Sequence, residues 1–80
     1  MSVSFDYYKV FYHVAKSGNI TTAARTLFLT QPTVSRCMRN LENELGLSLF
    51  ARSKKGVSLT PEGKILYEHV EKAWQQIFKA

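Results

Sequence analysis

Residues 21–46 read TTAARTLFLTQPTVSRCMRNLENELG, and the fold turns on how this stretch divides. Thr30 carries a short hydroxyl able to accept a backbone N–H, and Pro32 stands where a missing N–H costs a helix nothing. A helix is therefore expected from about Gln31 to Leu45. At 100° per residue, Val34, Met38, Leu41 and Leu45 fall within about 60° of one another and form one buried stripe. Gly46 stops the helix, with Leu47 placed to fold back on its last turn. Upstream, Thr21 is expected to cap a shorter helix from Thr22 to about Phe28, burying Ala23, Ala24, Leu27 and Phe28. The paired alanines let helix axes approach closely. A brief turn at Leu29 separates the two helices, so they must cross steeply, as in a helix-turn-helix.

The outer side of the later helix is centred on Pro32, Arg36, Arg39 and Asn43 and flanked by Thr33, Ser35 and Asn40. Its first two turns hold two arginines and no acid; Glu42 and Glu44 come only later. A face that is merely solvated more often mixes both signs. These side chains suit the major groove of a DNA duplex. Gln31 can read adenine bidentately, the Thr33 methyl can meet a thymine methyl, and Ser35 can reach a base edge or a phosphate. Arg36 and Arg39 can make forked contacts with guanine or phosphate, although Arg39 can also pair with Glu42 three residues on. Thr30 and the free N–H groups of the first turn offer a phosphate seat. Pro32 mostly fixes the helix start.

Working outward, Ser4 can cap a first helix running to about Ser17, where Gly18-Asn19 stops it. Phe5, Tyr8, Phe11, Tyr12 and Ala15 form one apolar face, and Tyr7, Val10 and Val14 lie round the other flank, so this helix packs on more than one neighbour. Beyond Gly46, Leu49-Phe50-Ala51-Arg52 and Val57-Ser58-Leu59 enclose the polar run Ser53-Lys54-Lys55-Gly56, the pattern of a small hairpin. Arg52, Lys54 and Lys55 make it basic. The lysines either track a DNA backbone or serve as solubilising charges, and Arg52 either enters the minor groove or pairs with an acid. Thr60 then caps a long helix from Pro61, with Glu62 favourable near its positive end. Ile65, Leu66, Val70, Ala73, Trp74, Ile77 and Phe78 give that helix a broad apolar side, and no stop signal precedes Ala80. The order describes a mainly α fold: a winged helix-turn-helix, with a three-helix core and a short β-hairpin wing, followed by a long dimerisation or linker helix.

Composition agrees. The 80 residues are 45% hydrophobic, enough for a modest core but too few to enclose a large ligand cavity. Eleven Lys and Arg against six Asp and Glu give a net charge of +5, which favours a polyanionic partner. One cysteine, Cys37, excludes an intrachain disulfide and a cysteine-based zinc site, and fits a reducing, cytoplasmic setting. It reads as a small half-buried apolar residue, with a redox switch as the alternative. No leader opens the chain, and no apolar run nears the ~18 residues that span a bilayer. His13 and His69 lack metal-ligand spacing, and neither a Gly-rich phosphate loop nor paired carboxylates occur, so no enzyme is expected.

The residues also resemble a known family. Ala23-Ala24, Leu27, Thr30-Gln31-Pro32-Thr33-Val34-Ser35-Arg36 and Leu41-Glu42-Asn43-Glu44-Leu45-Gly46 are similar to the LysR-type transcriptional regulators. Leu49-Phe50-Ala51-Arg52 and Leu59-Thr60-Pro61-Glu62-Gly63 extend the match through the wing. The departures are Cys37 where Gln is common, Ala51 for a frequent Glu, and a wing glycine later than usual. The resemblance implies a DNA-binding domain over 1–60 and a linker and dimerisation helix over 61–80. It also implies a further C-terminal domain, absent from this chain, that senses a small co-inducer; the DNA-binding domain itself needs no cofactor. DNA contacts are then expected from Thr30, Gln31, Pro32, Thr33, Ser35, Arg36 and Arg39 and from Arg52, Ser53, Lys54 and Lys55. Leu66, Val70, Ala73, Trp74 and Ile77 would pair two subunits into a homodimer, and the full-length protein into tetramers, on a pseudopalindromic duplex site. The competing expectation is a winged helix that binds another protein without reading DNA; such modules often lack a basic wing.

Overall fold

The computed structural model describes residues 5–54 and 56–78. Helix α1 spans Phe5–Ser17, α2 Ile20–Leu27, α3 Gln31–Leu45 and α4 Pro61–Phe78. Strands β1 (Phe50–Ser53) and β2 (Gly56–Leu59) form an antiparallel hairpin that pairs Phe50 with Leu59, Arg52 with Val57 and Ser53 with Gly56. The proposed cap at Ser4 and the chain end at Ala80 lie outside the described residues.

Helix α1 packs on α2, α3 and α4 at once, as its two apolar flanks require. Val10, Phe11 and Val14 of α1 meet Ala23 and Ala24 of α2, Val34, Met38 and Leu41 of α3, and Leu49 ahead of the hairpin. All nine are buried and apolar, so the core needs no polar compensation. An aromatic series continues from it toward α4. Phe11 sits 5.5 Å from Phe50 and 6.5 Å from Tyr67, and Tyr12 stacks on Tyr67 at 5.8 Å and on Trp74 at 4.8 Å.

Two sequence expectations for α2 are corrected. Its cap is Asn19, whose side chain accepts the Thr22 N–H at 3.0 Å, so the helix begins at Ile20 rather than after Thr21. Asn19 also ends the preceding turn, and that role concealed its second one. Phe28 does not join the buried side: it is 96% exposed. The reason is its backbone. Phe28 adopts the left-handed conformation (φ 58°, ψ 40°) that closes α2, with its N–H and that of Leu29 returning to the last carbonyls. The helical register ends one residue early, and the ring swings out of the core.

The hairpin tip is tighter than the sequence suggested, because Ser53 and Gly56 already pair across it. The late glycine has a physical cause. Gly56 takes φ +128°, and a Cβ there would press on the Gly18 carbonyl, the same carbonyl that accepts the Val57 N–H at 3.4 Å. The wing thus leans on the α1–α2 turn.

Candidate nucleic-acid interface

Thr30 caps α3 as expected, accepting the Thr33 N–H at 3.4 Å, and Pro32 lies in the first turn. The Thr30 and Thr33 hydroxyls are 2.8 Å apart, and an Arg36 guanidinium nitrogen donates to the Thr33 hydroxyl at 3.5 Å. These bonds align Thr30, Thr33 and Arg36 along one edge of the helix's first half. Thr30, Gln31, Pro32, Arg36 and Arg39 are exposed; Thr33 and Ser35 are half-buried. The structure thus brings these residues together along the first half of α3, where the Thr30 hydroxyl serves the cap of its own helix.

Asn40 leaves this surface. Its side-chain amide donates to the Tyr7 hydroxyl at 3.2 Å and ties α3 to α1. Glu42 does not turn toward Arg39 either; its carboxylate accepts the backbone N–H groups of Leu49 at 2.7 Å and Phe50 at 3.2 Å.

In the wing, Arg52, Ser53 and Lys54 are exposed, and Lys55 lies outside the described residues. Arg52, Ser53, Lys54, Gly56 and Val57 line a cleft of about 320 Å³ whose opposite wall is Asn19, Ile20 and Thr21. The start of α2 beside the basic hairpin escaped the sequence, since Asn19 read only as a stop. Its visible signal was an Asx residue three positions before Thr22.

A second groove is mostly apolar. Tyr8, His69, Val70, Ala73, Trp74 and Ile77 line a groove of about 330 Å³ between α1 and α4. Four of the five residues expected to pair subunits meet there; Leu66 packs against the core instead. His13 stands edge-on to Trp74 at 5.9 Å, and burial, with Lys9 and Lys16 adding to it, lowers its pKa below the ordinary 6.5. Cys37 is half-buried in a third groove, with Tyr7, Val10, Leu27 and Leu29. Among the described residues no cluster of His, Cys, Asp or Glu suits a metal, and no helix is long and apolar enough to cross a membrane.

The family model described as bacterial regulatory helix-turn-helix protein, lysR family, matches residues 5–64. The chain belongs to the LysR family. Its relatives in that family include the transcriptional regulators TdcA of Escherichia coli, 44% identical over 78% of this chain, and CzcR of Bacillus subtilis, 44% identical over 86%. This chain spans only 20% and 24% of their lengths. Among solved structures, a BenM DNA-binding domain in complex with the catB site 1 DNA superposes with a TM-score of 0.86 at 34% identity, covering 96% of this chain and 84% of that one. A CbnR DNA-binding domain complexed with DNA gives 0.85 at 35% identity, over 92% and 85%. The LysR-type winged helix-turn-helix thus accounts for the elements from α1 into α4.

Proposed function

We infer that this chain is the part of a LysR-type transcriptional regulator that binds double-stranded DNA sequence-specifically. The observation that carries the reading is the exposed edge of α3 from Thr30 to Arg39, free of acids and presented with a basic hairpin on a fold that relatives use in DNA complexes. The first half of α3 enters the major groove. Gln31, Arg36 and Arg39 meet base edges, while Arg52, Ser53, Lys54 and Lys55 follow the backbone and minor groove. Residues 1–60 serve as the DNA-reading unit and 61–80 as the linker helix. The α1–α4 groove supports pairing of two copies, so that two α3 helices meet half-sites about one helical turn, or a multiple, apart. The whole regulator works in the cytoplasm and carries a C-terminal domain for a small co-inducer, with tetramers forming on DNA; family membership supports these points. The regulators named among its relatives also support a role without catalysis.

Selection of bound duplexes from a random pool tests this directly. A defined pseudopalindromic consensus is expected. On that site Arg36→Ala should weaken binding by about 1–3 kcal/mol and relax the preference at one base pair per half-site. Recovery of random sequences, with negligible affinity even at low salt, would instead leave a protein-interaction winged helix.

A further inference from the structure

The short link between α3 and the hairpin is held from both sides. Four of the five amides from Gly46 to Phe50, all but that of Ser48, converge on one residue of the recognition helix. Gly46 and Leu47 donate to the Glu42 main-chain carbonyl, the latter at 3.2 Å, and Leu49 and Phe50 donate to its carboxylate at 2.7 and 3.2 Å. From the other side, the Thr60 N–H donates to the Leu49 carbonyl at 3.0 Å and its hydroxyl to the Ser48 carbonyl at 2.6 Å. That same hydroxyl oxygen caps α4 by accepting the Gly63 N–H at 3.0 Å, and Gly63 is so close to the Leu49 carbonyl that any Cβ there would clash with it. The hairpin finds its main packing partners on α1 and α4 rather than on α3. Among the described residues, the carboxylate of Glu42 thus ties the start of the hairpin to the recognition helix.

We propose that Glu42 is a positioning residue for DNA binding: by holding the amides of Leu49 and Phe50, it fixes the offset between the recognition helix and the cations of the wing. A duplex presents its major-groove edges and flanking phosphates at set distances, so two contact points help each other only if their spacing is already fixed. A negative charge suits the task, because bonds from backbone N–H groups to a carboxylate are about twice as strong as neutral ones. A neutral acceptor at this position would hold the first strand less firmly. The proposal rests on the two-part docking described above.

The test is a double-mutant cycle on DNA binding, measured against salt at a temperature where circular dichroism shows every variant folded. In the otherwise native chain, Arg52→Ala with Lys54→Ala should flatten the log–log salt slope by about 1.8, roughly 0.9 for each lost phosphate contact. Glu42→Ala alone should remove more than half of that amount. Adding the two wing substitutions to it should then change little, while the base preference set by α3 persists. Full additivity would overturn the role of Glu42, since a residue needed only for stability would leave the wing's contribution intact. No effect of the wing substitutions in the native background would instead overturn the docking itself, and the Glu42 proposal with it. If Glu42→Ala does not fold, Glu42→Gln decides. Its amide oxygen can still accept both N–H groups but without charge, so hydrogen exchange at Leu49 and Phe50 should quicken by about tenfold while α1 amides keep their protection, and the wing's share of the slope should fall in part. Unchanged exchange and slope in that variant would contradict the proposal.

Discussion

Helix α3 buries Val34, Met38 and Leu41 and turns Gln31, Arg36 and Arg39 to solvent, whereas α4 seats Leu66, Tyr67 and Val70 on the core and leaves Ile65 and Ile77 about 60% exposed. A polar, cationic face is content in water until a polyanion arrives. An apolar one is not, and Ile77 joins Tyr8, Ala73 and Trp74 in the groove proposed to pair two copies. The contrast supports two proposed binding surfaces, each legible from what its helix declines to bury.

The largest effect should come from the part the two helices share. Leu41→Ala removes a fully buried side chain from the stripe of α3 and should lower stability by about 2–5 kcal/mol, read from the denaturant midpoint. A loss well below that would mean α3 is not anchored as described. Next, Ile77→Lys should separate the surfaces. It is expected to weaken self-association at least about tenfold by placing a charge in the apolar groove, with little change in thermal midpoint. Sedimentation of the wild-type chain as monomer at all concentrations, or an unchanged association in the variant, would break the assignment of that groove.

A pH scan sharpens the α4 side. His13 has its pKa lowered by burial against Trp74, aided by Lys9 and Lys16, so the unfolded chain binds its proton more readily than the folded one. Its contribution to stability is therefore complete above pH 6.5 and is lost as pH falls through the lowered value. Wild type should lose thermal stability between pH 7.5 and 5 by more than His13→Gln does, and parallel curves would contradict the sign. The smallest effect is expected at Phe28. Because its ring covers nothing in the domain and its φ is positive, Phe28→Gly should raise stability by less than about 1 kcal/mol. A marked loss would show that the ring packs somewhere after all.

These residues also mark where the sequence could be read. The stripe of α3, its Thr30 cap, its Gly46 stop and the apolar excess of α4 follow from spacing alone, because each is a local pattern. Phe28 misled because hydrophobicity says nothing of a left-handed backbone that rotates a ring outward. Asn19 was masked by a neighbouring threonine with equal capping ability. Leu66, Val70, Ala73, Trp74 and Ile77 share one apolar side, but only the packing of α4 on α1 separates Leu66 from the groove. Glu42 was hardest: a carboxylate on a helix reads as a surface charge, and its partners are main-chain amides seven and eight residues on that no side-chain pattern reveals.

The central claim is that the edge of α3 and the basic hairpin together read a duplex. Its most direct measurement is the affinity of the chain for a selected duplex and for a scrambled one across a salt series. Binding to the selected site should be at least about a thousandfold tighter, with a steep negative dependence on salt for both. Equal affinities for the two duplexes, or binding indifferent to salt, would contradict it.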